Sequence, residues 1–210
     1  MRPFLPVSLL IASLAGACGH VPLTSLPKLS RIDIRTTSLT DLRAGLSLPV
    51  GIRPLPGGVT MTIVVMPKEG GRHERKVVLE EVRDATELAA LPVMVSPGRR
   101  LTVFRLSPKD AARLGAFREE QLLGTGQSGN RGTLSLGADK ACRSGDLGNG
   151  PIPMTSYLRT SETRDYVVVT RDLDLREAIR AVDPGIDLAT AIPLCDELSG
   201  QRLSGSPVSS

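Results

Sequence analysis

Apolar side chains in this chain come in short runs of alternating period, broken again and again by proline- and glycine-bearing stretches, and only one segment has the signals of a long helix. Val59-Thr60-Met61-Thr62-Ile63-Val64-Val65-Met66 is rich in β-branched residues and is separated by Glu69-Gly70-Gly71 from a second run, Glu74 to Val82. β-Branched side chains suit a pleated, half-buried surface and glycine supplies the turn, so the pair predicts a β-hairpin. Arg31-Ile32-Asp33-Ile34-Arg35, Arg43 to Leu48, Arg100 to Leu106, Thr133 to Ala138, and the pair Met154 to Thr160 with Asp165 to Arg171 read as further strands. The stretch Pro49 to Gly58, with its prolines and glycines, predicts a loop. The expected fold is β-rich, all-β or α+β: an antiparallel sandwich or partly open barrel of about seven strands with one amphipathic helix.

That helix is placed by its ends. Ser107 is the expected N-cap, Pro108 falls at the first helical position where its missing N–H costs nothing, and Asp110 suits the positive end of the helix dipole. Ala111, Leu114 and Phe117 form its apolar stripe and Gly124 its stop. Residues Ala85 to Leu91 allow one helical turn before Pro92. Asp172 or Asp174 is expected to cap a short helix through Ala181, ended by Asp183-Pro184-Gly185.

The first seventeen residues have another purpose. Arg2, an apolar run through Leu14 and the small residues Ala15, Gly16 and Ala17 have the three-part build of a secretory signal peptide ending before Cys18. Pro3, Pro6, Ser8 and Ser13 interrupt the run, which is also too short for a spanning helix. Leu14-Ala15-Gly16-Ala17-Cys18 resembles the lipobox of bacterial lipoproteins, and Cys18-Gly19-His20-Val21-Pro22-Leu23-Thr24-Ser25-Leu26, with the segment Tyr166 to Arg176, looks like small proteobacterial envelope lipoproteins. The resemblance implies acylation of Cys18, a membrane anchor through that lipid and a domain facing the periplasm. Glycine rather than aspartate after the cysteine leans toward the outer membrane. It brings no catalytic residue with it.

Cysteine parity points the same way. Three cysteines are an odd number for an oxidising compartment, and if a lipid consumes Cys18, Cys142 and Cys195 remain to form a disulfide. The resulting organisation is a signal peptide over 1–17, a lipidated N-terminus and tether over 18–29, one β-rich domain over 30–197 and a disordered Ser-, Gly- and Pro-bearing tail over 198–210.

Composition narrows function more by exclusion. Of 26 Lys and Arg one, Arg2, leaves with the signal, so 25 face 22 acidic residues, spread along the chain without a basic tract; no nucleic-acid partner is expected. Only Phe104, Phe117, Tyr157 and Tyr166 remain as aromatics and there is no tryptophan, which argues against stacking surfaces for sugars or single strands. Gly124-Thr125-Gly126-Gln127-Ser128-Gly129 spells G-x-G-x-x-G, but it follows a helix and precedes a strand, the reverse of a dinucleotide site. Of the two histidines, His20 lies beside Cys18 and His73 in a charged hairpin strand; Ser128 lacks the spacing of a nucleophile elbow. Asp172, Asp174 and Glu177 lack the loop of an EF-hand and fit a helix cap better. We therefore expect no catalytic residues, metal or cofactor. The expected function is an envelope lipoprotein whose non-catalytic periplasmic domain binds or supports another envelope component, with an envelope protein as the expected partner. The alternative is a periplasmic carrier of a lipid or other apolar ligand.

Overall fold

A computed structural model describes residues 22–89, 96–124 and 129–198. The fold is β-rich and sandwich-like rather than a closed barrel, with all its ladders antiparallel. The large sheet runs β10 (Val167–Asp174), β9 (Pro153–Arg159), β1 (Arg43–Pro49), β6 (Arg99–Arg105) and β5 (Glu80–Glu81). A second sheet runs β4 (His73–Val78), β3 (Val59–Met66) and β7 (Arg131–Ala138), and a short ladder joins β2 (Ile52–Pro54) to β8 (Ala141–Arg143).

Alternation along the strands decides which faces meet. Ala44 and Leu46 of β1, Phe104 of β6 and Leu158 of β9 face Met61, Ile63, Val65 and Val77 of the smaller sheet across one core. Gly45, on the opposite face of β1, lies where a Cβ would come within 3.2 Å of Leu101 and 3.3 Å of Tyr157, so a side chain there would crowd its two neighbour strands. The β3–β4 hairpin turns through Gly70 and Gly71, both at positive φ (97° and 96°), a region in which glycine carries no Cβ penalty. At Leu79 the chain changes sheets: its N–H donates to Val59 O of one sheet, and Glu80-Glu81 then pair with Arg105 and Phe104 of the other.

The main helix, α3 (Pro108–Arg118), follows two short ones, α1 (Leu26–Leu29) and α2 (Ala85–Ala89). Ser107 Oγ accepts from Asp110 N at 3.0 Å, and Ala111, Leu114 and Phe117 are buried. The Arg75 guanidinium of β4 lies 5.4 Å from the centre of the Phe117 ring. Instead of ending at Arg118 the helix widens into a π-turn over Glu119–Leu123 that buries Leu122 and closes when Gly124 N donates to Glu119 O. At the C-terminal side, α4 (Leu175–Val182) is capped by Asp174 and α5 (Leu188–Ala191) by Asp187.

Three expectations are corrected. Residues 31–35 do not form a strand: Asp33 accepts from Arg35 N through its carboxylate, and from Thr36 N, Thr37 N and Thr37 Oγ1 through its carbonyl, bending the chain while Ile34 still reaches the core. The stretch 49–58 is not all loop, since Ile52–Pro54 finds a partner in β8, far along the chain. The segment 18–29, expected as a tether, is folded from Leu23 onward, as a 3-10 turn (Leu23–Ser25) and α1, with Ser25 buried. The signal peptide, Cys18, His20, Pro92, Ser128 and the tail beyond Leu198 lie outside the described residues.

Candidate functional site

The large sheet has two unlike ends. At one, β1 and β10 finish and β9 begins, and there Leu48, Ile52, Ile152 and Ile192 form a second, smaller core, with Leu175, Ile179 and Leu188 of α4 and α5 packed against it. Cys142 on β8 and Cys195 are joined there in a disulfide with Cα atoms 5.0 Å apart. Arg143 reinforces the join: its N–H donates to Pro193 O, its Nε to Ile192 O at 3.0 Å and a terminal nitrogen to Gly145 O at 2.9 Å. The glycine-rich stretch after Cys142 is thereby fixed at its start.

Beside this core Arg99 reaches from β6 across to β9 and β10. Its guanidinium donates to Asp172 Oδ1 at 2.7 Å and to the Pro153 carbonyl, with Thr155 Oγ1 at 3.4 Å. Asp172 stands at a bulge with φ of 48°, and the Arg99 hydrogen bond, supported by Thr155, holds its carboxyl below the usual range despite partial desolvation. Asp174 is engaged separately, accepting at Oδ1 from Ile152 N (2.9 Å) and Arg176 N (3.0 Å). The two aspartates that invited comparison with cation ligands are thus bound to an arginine and to a helix start. Among the described residues no group of three or more His, Cys, Asp or Glu side chains converges. His73 is exposed on β4, opposite Val65.

The other end is basic. Arg105, Arg43 and Arg159 stand opposite one another on three adjacent strands, an alignment of like charges that costs stability unless anions answer it. Glu87 of α2 bonds Arg43 Nε, and the Thr40 carbonyl takes another of its protons. No carboxylate lies within 4.0 Å of Arg105 or Arg159 among the described residues. Tyr166 stands in the turn beyond Arg159, its hydroxyl sealed from solvent without a hydrogen-bond acceptor among the described residues. Burial pushes its phenol up, against the opposing field of Arg159. This row is invisible in the sequence, because each arginine looks like an ordinary strand residue until the register is known.

Two surface clefts are small. One, of about 90 Å³, lies between β2 with the turn that follows it and β5–β6, and has Arg53, Glu81 and Arg100 in its wall. The other, of about 160 Å³, lies between α4 and α5 and includes Ile179, Arg180, Ile186 and Asp187. Both fall below the roughly 300 Å³ at which small-molecule sites begin. Hydrogen bonds from the Thr190 hydroxyl and from the N–H groups of Ala189 and Thr190 hold Asp187 low, as befits a helix cap.

These features define a small β-sandwich, stapled at one end by a disulfide and lined at the other by arginines. The chain matches no family model, no curated protein and no solved structure.

Proposed function

We propose that this is a lipid-anchored protein of the bacterial envelope, belonging with the lipoproteins its N-terminus resembles and held at the outer rather than the inner membrane. Its folded domain faces the periplasm and binds or supports another envelope component without catalysing a reaction. The observation that supports the reading most is the pairing of Cys142 with Cys195, which accounts for two of the three cysteines and leaves as the third Cys18, directly after the lipobox-like Leu14-Ala15-Gly16-Ala17. A disulfide is at home in an oxidising compartment, and an odd thiol at a processed N-terminus is what acylation uses.

A carrier would need interior room. Met61, Ile63, Val65, Leu114, Leu46 and Phe104 fill the space between the sheets with the protein's own side chains, so that alternative draws no support from the core. A partner at the surface fits the small clefts and the packed interior better.

Mass spectrometry of the protein from its native membrane tests the anchor. The mature N-terminus should be a diacyl- or triacyl-modified Cys18, and Cys18→Ala should release the protein from the membrane fraction. An unmodified soluble form beginning at Cys18 would overturn the reading. Cross-linking in intact cells, followed by purification of the tagged full-length protein, tests the partner: a defined envelope protein should be joined to it, whereas recovery of the uncross-linked chain alone would leave the binding role without support.

A further inference from the structure

The arginine-lined end also carries the chain's entry point. The 3-10 turn and α1 pack against β10, and Lys28 Nζ lies 3.6 Å from Asp165 at the β9–β10 turn. This segment is fixed: Ser25 is buried, and Leu29 and Ile32 are half-buried behind it. Yet Leu23 is 81% exposed and Leu26 48%, three residues apart on a helical turn and so on one side of it. An immobilised pair of leucines turned outward on a polar domain has no partner among the described residues.

Distance decides what they meet. Leu23 follows Cys18 by five residues, a span of at most about 18 Å even fully extended. A bilayer's polar region is itself about 5–7 Å deep on each side. If Cys18 is acylated, the leucines are confined to the immediate neighbourhood of the membrane surface, and the end of the sheet with Arg105, Arg43 and Arg159 is confined with them. Glu87 and Asp165 offset part of that charge and Glu80 stands opposite Arg105, leaving Arg105 and Arg159 as cations without an ion pair among the described residues. Acidic headgroups attract such side chains within a Debye length.

We propose that this end of the domain rests on the bilayer, Leu23 and Leu26 within the headgroup region and Arg105 and Arg159 toward lipid phosphates. The disulfide-stapled end is then the face presented away from the membrane. The proposal rests on the lipid anchor argued above.

The absence of tryptophan makes the test clean, because one introduced indole reports alone. Full-length acylated protein carrying Leu23→Trp, Leu26→Trp or, at the stapled end, Val182→Trp (replacing a side chain 88% exposed) is reconstituted into vesicles. These contain phosphatidylethanolamine and phosphatidylglycerol, with or without brominated acyl chains. Emission from the Leu23→Trp and Leu26→Trp variants should be blue-shifted and strongly quenched by bromine, and the Val182→Trp signal quenched instead by aqueous acrylamide. Adding Arg105→Gln and Arg159→Gln should lower bromine quenching of the Leu23→Trp reporter by about twofold, and only when phosphatidylglycerol is present. Equal acrylamide quenching at positions 23 and 182, in protein that still floats with the vesicles, overturns the proposal and leaves the anchor standing. Protein that neither floats nor carries lipid on Cys18 overturns both.

Discussion

Arg99 has only 13% of its side chain exposed, while its partner Asp172 is 56% exposed, and the asymmetry sets how the pair behaves with pH. Because the guanidinium holds the Asp172 carboxyl below its ordinary range, the contact contributes stability above that range and loses it as pH falls through the lowered value. Asp172→Asn keeps a residue type that tolerates positive φ and removes the charge. It should lower stability by about 1 kcal/mol at neutral pH, a figure kept small by solvent screening, and flatten the acid limb of the stability curve. Urea unfolding at pH 7 and pH 3 checks this, and equal losses at both would remove the ion pair from the account. Backbone approach is harsher at Gly58, where a Cβ would lie 2.2 Å from the Lys140 carbonyl oxygen and 2.9 Å from that of Leu55. Neither oxygen can swing aside as a side chain would. Gly58→Ala should therefore cost more than about 2 kcal/mol in thermal or urea unfolding, whereas Ala at Gly115, inside α3 with nothing within 4 Å, should be neutral or stabilise by up to about 1 kcal/mol through its higher helix propensity.

Among the elements, α3 shows most directly how local signals became structure. Ser107, Pro108 and Asp110 stand where the cap, first turn and dipole want them, and Ser107→Ala should cost about 1 kcal/mol by leaving the Asp110 N–H without its acceptor. Leu114→Ala, at a side chain with no exposure, should cost about 2–5 kcal/mol in the same unfolding assay, because the residue sits in the main core where collapse is least able to fill the gap. Elements whose cause is local were legible: the β3–β4 hairpin from its β-branched run and paired glycines, the β9–β10 hairpin, and the Asp174 cap. Elements whose cause is distant were not. β2, β5 and β8 are two or three residues each and exist only because a partner far along the chain completes their ladders. Residues 31–35 misled in the opposite direction, since an alternating pattern was overridden by one aspartate hydrogen-bonding its own backbone. The arginine row belongs with the distant causes, being a property of register rather than of any segment.

At the scale of the whole molecule, the two cores differ in how they are held. The main core is enclosed by two sheets and α3, whereas the second depends on α4 and α5, neither of which buries a side chain fully. Closing a loop whose ends are 53 residues apart stabilises by about 4 kcal/mol in the chain-entropy account, a large share of the roughly 5–15 kcal/mol typical of a domain. The bond sits at the weaker core, so its loss should be felt there first. In the double variant Cys142→Ser with Cys195→Ser, amide hydrogen exchange should accelerate in 175–198 and in β8 while β1, β3 and β6 keep their protection. Arg143, which ties β8 to Pro193 and Ile192, should retain part of the join, so Arg143→Ala added to the double variant should open the region further. Uniform acceleration through both cores would show instead that the sandwich unfolds as one unit and that the disulfide stabilises the fold globally. Local opening would mean that the stapled end, which the proposed docking turns away from the membrane, is the part whose order depends on an oxidising environment.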